Sequence, residues 1–414
     1  MQKTTLYDNL DGGRPQKPPH TFFSMKLPTR LFHCGIATMI LSAGLLTSCG
    51  PKKASDPLAS TGRTQRTENL LENLRHQADS AGYMYGHQDD TAYGIGWVGD
   101  SCRSDVQSVC NDFPAVIGFD LGHIELGDSC NLDGVPFDHM RQLIIAQYDR
   151  GGVITLSWHL DNPLSGGTSW INDSLRAQES HTVAEVLKEG EVHNRLVAYL
   201  DSAAAFIRSL QTPYGVQVPV IFRPWHEHTG SWFWWGKDFC TPQQYIALWK
   251  LTAERFKECG VTNALFAYSP DRTESPEAYM ERYPGDEMVD IFGLDCYCFG
   301  HNEPATFENY VENVKRQLTY ICRLAKEHGK VAAFTETGYE GLPYERWWTE
   351  ALAPAIADLP VAYVLTWRNA HDKVGHFYAP YPGHSSVDDF TAFYNLPRTL
   401  FVHDVNGLYL QNSK

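Results

Sequence analysis

Gly152-Val153-Ile154-Thr155-Leu156-Ser157-Trp158-His159-Leu160-Asp161-Asn162 decides the fold. Its first half does not alternate apolar with polar, as a strand with one wet face does. It is apolar nearly throughout, the pattern of a parallel strand covered by helices on both sides. It then turns polar within two or three residues. Val331-Ala332-Ala333-Phe334 followed by Thr335-Glu336-Thr337-Gly338 repeats the design. Working outward from these two, short β-branched or aromatic runs occur at Tyr83–Gln88, Ala115–Leu121, Gly152–Leu160, Pro219–Glu227, Ala264–Pro270, Asp290–Tyr297, Val331–Thr337 and Val361–Asn369. Helical patterns separate them. Thr241-Pro242-Gln243-Gln244 is a capping box with Pro at the first helical position, and Tyr245, Leu248, Trp249 and Phe256 follow on one side. Phe307, Tyr310, Val311, Val314, Leu318, Ile321 and Ala325 recur at helical spacing until Gly329. Eight strands joined by crossover helices predict an α/β chain folded as a (β/α)8 TIM barrel over residues 66–414. The first crossover (Ile95–Phe113) and the fifth (Ser275–Met288) read as loops carrying a short helix.

The composition narrows the partners. Thirty-four Lys and Arg against 49 Asp and Glu leave a net charge of −15, which argues against nucleic acid or an anionic membrane face as the main partner, because phosphate binding needs a basic surface. Eleven Trp, 21 Tyr and 20 Phe supply flat apolar rings of the kind that hold the C–H faces of sugars.

Residues 1–48 read as a leader. Met25 opens a second start with Lys26 and Arg30, then an apolar run from Leu31 to Leu46. At about 16 residues the run falls short of the ~20 that a spanning helix needs. It closes on Leu46-Thr47-Ser48-Cys49-Gly50, which resembles a bacterial lipobox and predicts a lipidated Cys49. Residues 49–65 then read as a flexible tether. Anchoring would be through the lipid alone. No acidic run follows Cys49, which points to the periplasmic face of the outer membrane in the cell envelope rather than the cell surface. Export would place the remaining cysteines, Cys102, Cys110, Cys130, Cys240, Cys259, Cys296, Cys298 and Cys322, in an oxidising compartment, where Cys102 and Cys110 suit a small disulfide loop. No CxxC pair favours zinc.

In such a barrel the chemistry sits at the C-terminal ends of the strands. Polar residues concentrate there: His87-Gln88, Asp120, His159 with Asp161 and Asn162, Arg223 with His226-Glu227-His228, Asp295 with Tyr297, Glu336, and Arg368-Asn369. Carboxylates at the ends of the fourth and seventh runs are suited to splitting a glycosidic bond, one protonating the leaving oxygen and the other acting at the anomeric carbon. Asp120 and Asp295 read as buttresses. The cluster Trp232-Phe233-Trp234-Trp235 is too dense to be all core.

Arg223-Pro224-Trp225-His226-Glu227 with Trp232, together with Phe334-Thr335-Glu336-Thr337-Gly338, resembles the two signature segments of glycoside hydrolase family 26, the β-mannanase family. The likeness covers about Tyr83 to Leu396. It implies a retaining hydrolase of β-1,4-mannosidic bonds in mannan-type polysaccharides or manno-oligosaccharides, with Glu227 as general acid/base and Glu336 as nucleophile. The two carboxyls would lie about 5–5.5 Å apart. The resemblance also assigns substrate contacts to His159, His226, Trp232, Tyr297, Trp367 and Arg368, with Tyr297 donating a hydrogen bond to Glu336. His384 would complete a distal subsite, and Trp170 would be a leaving-side platform. No cofactor or metal is implied, and the chain is expected to act as a monomer.

Two other readings remain. His226 and His228, two apart, suit a metal pair on one strand face with Asp295 or Glu336 completing the ligands of a metal-dependent hydrolase. A lipid-anchored glycan-binding protein without turnover is the other. Endo or exo action, and the choice among mannan, galactomannan, glucomannan and other β-glycans, stay open. A disulfide-tied loop at Trp97–Cys110 closing one end of the groove would favour short products.

Overall fold

Eight parallel strands, β1 (Tyr83–Gln88), β2 (Val116–Asp120), β3 (Val153–Ser157), β4 (Val220–Arg223), β5 (Ala264–Tyr268), β6 (Ile291–Asp295), β7 (Val331–Thr337) and β8 (Tyr363–Thr366), pair in chain order. β8 pairs back onto β1, Met84 against Tyr363 through His87 against Thr366, and closes the barrel. The computed structural model describes residues 61–80 and 82–411. The leader 1–48, Cys49 and most of the tether lie outside the described residues.

Every strand falls within its expected run, and six are shorter. The trimmed ends of the third, fourth, sixth and eighth runs carry His159, His226 with Glu227, Tyr297, and Arg368 with Asn369, which follow the last residues of the ladder. All strand residues are buried except Phe266 of β5, which is partly covered. The outer helices include α1 (Gln65–Asp79), α2 (Phe137–Asp149), α3 (Glu191–Arg208), α4 (Pro242–Glu258), α5 (Pro304–Glu327) and α6 (Val387–Tyr394). α4 begins with the expected capping box, and its Tyr245, Leu248, Trp249 and Phe256 are buried. The first crossover holds only Asp105–Cys110 as helix, after a small hairpin of Tyr93–Gly94 and Trp97–Val98, and the fifth holds Pro276–Met280.

α1 was not expected. Thr64 caps it, its hydroxyl accepting from Thr67 N, and it buries Leu70, Leu71, Leu74 and Ala78. These join Met84, Val116, Val153, Leu265, Ile291 and Val331, from the first turns of the strands, in one apolar cluster. α1 thus covers the end of the barrel opposite the polar mouth. Each leucine so buried contributes about 1.5–3 kcal/mol. The tether therefore ends earlier than residue 65. Arg63 makes a bidentate pair with Asp290 at 2.9 and 2.8 Å, and Thr64 N donates to Thr262 O at 2.9 Å, so residues 63–65 are docked on the barrel.

β7 carries the one feature of the ladder that bears on chemistry. Gly293 to Asp295 of β6 spans the same rise as Ala333 to Glu336, and Val364 to Thr366 of β8 the same as Phe334 to Thr337. Both neighbours shift by one residue at the same place, so β7 holds a bulge around Thr335. Bulges re-aim the side chain that follows them. Here that side chain is Glu336.

Candidate active site

The end of β4 is held in an unusual shape. Pro224 has no N–H for the ladder. Trp225 (φ 53°) and Glu227 (φ 54°) then adopt left-handed backbone, a conformation that costs of order 1–3 kcal/mol at a non-glycine residue and persists only where its surroundings enforce it. α4 supplies two constraints: Tyr245 OH donates to Trp225 O at 3.0 Å, and Thr252 Oγ1 accepts from Trp225 Nε1 at 3.0 Å. The end of β5 supplies another, with Glu227 N donating to Ser269 O at 2.8 Å. Trp235 Nε1 donates to His226 O at 2.8 Å. The chain is thereby curled so that Glu227 is half-buried at the mouth.

Glu336 is buried and gripped at both oxygens. Tyr297 OH donates to Oε1 at 2.6 Å, and Arg223 Nη2 donates to Oε2. The same guanidinium donates through Nη1 to Asp295 Oδ2 at 2.7 Å, and Asp295 is fixed in turn by Ser269 Oγ at 3.1 Å and Thr335 Oγ1 at 2.7 Å. Burial opposes the charge on Arg223, but Asp295 and Glu336 outweigh it and hold the guanidinium above even its usual range. Asp295 is a buttress, as expected. Burial and the nearby Glu336 keep the Tyr297 hydroxyl protonated, and so a donor.

Glu227 lives in a different environment. Trp232 Nε1 donates to its Oε2 at 2.7 Å, and Oε1 has no protein donor among the described residues. Burial first, then the charges of Glu336, Asp295 and Asp271, push its carboxyl well above the usual range, against the lowering effect of Trp232. Trp232 owes its place to Gly230: a Cβ there would lie 2.2–2.4 Å from three carbons of the indole. Gly230→Ala is therefore expected to displace the indole and break its bond to Glu227, lowering kcat on a polymeric substrate about 5–10-fold, as loss of one hydrogen bond does. A kcat within twofold of the native value, with folding intact, would count against it.

On the other side of the mouth His159 and His226 approach each other, Nε2 to Nε2 at 3.3 Å. His159 lies edge-on to Trp367 at 5.9 Å between ring centroids, and Trp367 is half-buried. Arg368 pairs with Asp133 at 3.0 Å and with Tyr93 OH at 3.3 Å, and Tyr93 OH donates to Asp89 at 2.7 Å. Trp170 is 55% exposed. Its segment bridges to Phe233, with Ile171 N donating to Trp232 O at 2.7 Å, so it stands beside Trp232.

Residues 59–350 match the profile of Glycosyl hydrolase family 26. The chain belongs to this family. A solved family 26 β-mannanase from Bacteroides ovatus is 50% identical, with 85% of this chain and 99% of that one covered at a TM-score of 0.81. A modular endo-β-1,4-mannanase from Cellulomonas fimi is 33% identical over 87% and 80%, at 0.76. The mannan endo-1,4-β-mannosidase of Bifidobacterium adolescentis is 27% identical over 375 residues, 85% of this chain but 36% of that protein, so the match spans about a third of that relative's length.

Two expectations need correction, the histidine pair of the rival metal reading and the disulfide. His226 and His228 do not form a pair: His226 packs against His159, Phe233 and Trp235, whereas His228 lies against Tyr245 and Tyr268 at 4.2 and 4.9 Å. The two left-handed residues break the period of two on which the pairing rested. The distal place expected of His384 is not among the corrections: it packs with Phe377, Tyr381 and Ser386, away from the partners of either glutamate. The aromatic cluster needs no correction: it is not all core, since Trp232 is partly exposed while Phe233, Trp234 and Trp235 are buried. Cys102 and Cys110 are not joined to each other, so no disulfide between them ties the Trp97–Cys110 loop. Sequence reasoning gave Arg223 and Gly230 no role. A buried-run arginine four residues before Glu227, and a glycine two before Trp232, were the signals available.

Proposed function

We propose that the chain cleaves β-1,4-mannosidic bonds in mannan-type polysaccharides or manno-oligosaccharides by double displacement, with net retention. The observation that carries this is the meeting of two carboxyls in unlike environments. Glu227 is pushed toward its protonated form, with one oxygen free, and Glu336 is locked in place by Arg223 and Tyr297.

In the first step an oxygen of Glu336 bonds to the anomeric carbon as the glycosidic C–O bond breaks, and Glu227 gives its proton to the leaving oxygen. In the second, Glu227 takes a proton from water, the water oxygen bonds to the anomeric carbon, and Glu336 leaves as carboxylate. Trp232 and Trp170 would receive the leaving side. His159, His226 and Trp367 would hold the sugar bonded to Glu336, with Tyr297 serving the nucleophile. Arg368 would hold the next unit, and His384 a more distant one. The similarity to β-mannanases from several organisms supports mannan over other β-glycans.

Proton NMR of products formed early from manno-oligosaccharides tests the reading. The β-anomer appears first if it holds, and the α-anomer would overturn it. The absence of any new reducing end would instead favour a binding protein.

We also infer that the exported chain is lipidated at Cys49, from Leu46-Thr47-Ser48-Cys49, and that it faces the periplasm, from the lack of an acidic run after Cys49. Fatty-acid labelling of the expressed chain tests the lipidation.

A further inference from the structure

Asp120, the last residue of β2, is fully buried, and its two oxygens accept four hydrogen bonds. Oδ1 accepts from Gly122 N at 2.7 Å and His159 N at 3.1 Å. Oδ2 accepts from Ser157 Oγ at 2.6 Å and is 2.7 Å from His159 Nδ1. The register of β2 on β3 sets Asp120 opposite Ser157 and so makes the cluster. Burial alone would raise this carboxyl, but the charge of His159 and these bonds bring it down to about 2. A carboxylate only accepts, so His159 Nδ1 carries a proton.

His159 Nε2 faces His226 Nε2 at 3.3 Å, and two facing nitrogens hold one proton between them. His226 is a poor owner. Its buried ring is driven well down by burial, then by Arg223, His159 and His228. His159 is a good one: burial lowers it, but Asp120, then Glu336 and Asp133, raise it overall. These carboxylates reach it from β2, from β7 and from the loop after β2, while its ring neighbours Phe233 and Trp367 are uncharged.

We propose that Asp120 is a positioning residue for the glycosyl unit beside Glu336. Through His159 it holds the two-imidazole pair in one protonation pattern, with the positive charge on His159 and His226 Nε2 accepting. At 3.3 Å the His159 Nε2–H is only loosely held by His226 Nε2, so a sugar hydroxyl arriving beside it shares that proton as a second acceptor in a charge-assisted hydrogen bond. The kinetic part rests on the reading of the groove as a mannan site. The protonation pattern does not.

Asp120→Asn tests both. Its carbonyl can keep the two backbone donors, and its amide NH2 then faces His159 Nδ1, which must become an acceptor. In the free native enzyme at neutral pH, 15N spectra are expected to show His159 protonated on both nitrogens, and in Asp120→Asn on one only. kcat/KM on manno-oligosaccharides should fall about 10–100-fold, as when the partner that orients an imidazole is removed. The alkaline limb set by His159, separate from the one set by Glu227, should move to lower pH, because His159 then loses its charge earlier. Ser157→Ala, which removes an uncharged donor from the same carboxylate, should leave that limb in place. A native His159 with a bare nitrogen overturns the proposal. So does an Asp120→Asn enzyme whose 15N spectrum and pH limb are native while its activity falls, since a structural role alone gives that result. If the spectra behave as expected but no substrate is cleaved, it is the mannan reading that fails.

Discussion

Replacing Glu336 by alanine is expected to lower kcat on mannan by about 10⁵–10⁶-fold, the scale on which removing a nucleophile acts in other hydrolases. The residue makes the bond to the anomeric carbon, and no other carboxyl can take its place: Asp295 is fully buried and tied to Arg223, Ser269 and Thr335. The substitution also strips one partner from the buried Arg223, so thermal melting must be measured alongside. Glu336→Gln, which keeps the volume, should be as inactive. Azide can enter the space vacated in Glu336→Ala and attack the same face of an activated aryl mannoside. One displacement inverts, so the product should be the α-azide. Residual activity within 100-fold of native, in a folded protein free of native enzyme, would remove Glu336 from the chemistry.

The barrel was legible because burial on both faces writes itself into composition. Val153–Leu156 and Val331–Phe334 have no polar alternation, and only a sheet covered by helices on one side and a packed barrel core on the other makes that tolerable. The catalytic pair was legible because its chemical type and its position at strand ends coincide. Geometry set by tertiary contact was not. Nothing local announces that Trp225 and Glu227 take left-handed backbone, since the constraint comes from Tyr245 and Thr252 of α4 and from Ser269 after β5. The period-two pairing of His226 with His228 failed for that reason. α1 was missed although Leu70, Leu71, Leu74 and Ala78 carry its pattern, because the count of elements began at the first strand, Tyr83. The relay from Asp120 through His159 to His226 joins the ends of three strands, and such a network exists only once the register is known.

Glu227→Ala should behave in a way that Glu336→Ala cannot. On mannan, whose leaving group is a sugar alkoxide, the lost proton donor is expected to cost about 10²–10⁴-fold in kcat/KM. On an aryl mannoside with an acidic phenol no proton is needed at departure, so formation of the glycosyl-enzyme should be nearly native in rate. The second step has still lost its base, and the intermediate should accumulate, giving a burst of phenol, a low steady-state kcat and a lowered KM. Azide, which needs no base, should then restore turnover and yield the β-azide, because it acts on an intermediate already inverted once. The pH dependence follows from the same group. Burial and the charges of Glu336, Asp295 and Asp271 raise the native Glu227 carboxyl, so the acid form persists below that raised value and activity on mannan is lost as pH climbs through it. Glu227→Ala, assayed for burst rate on the aryl substrate, should lack that limb. The opposite azide products from the two variants separate the roles of two carboxyls, and an exchange of those products would mean that the assignments are reversed.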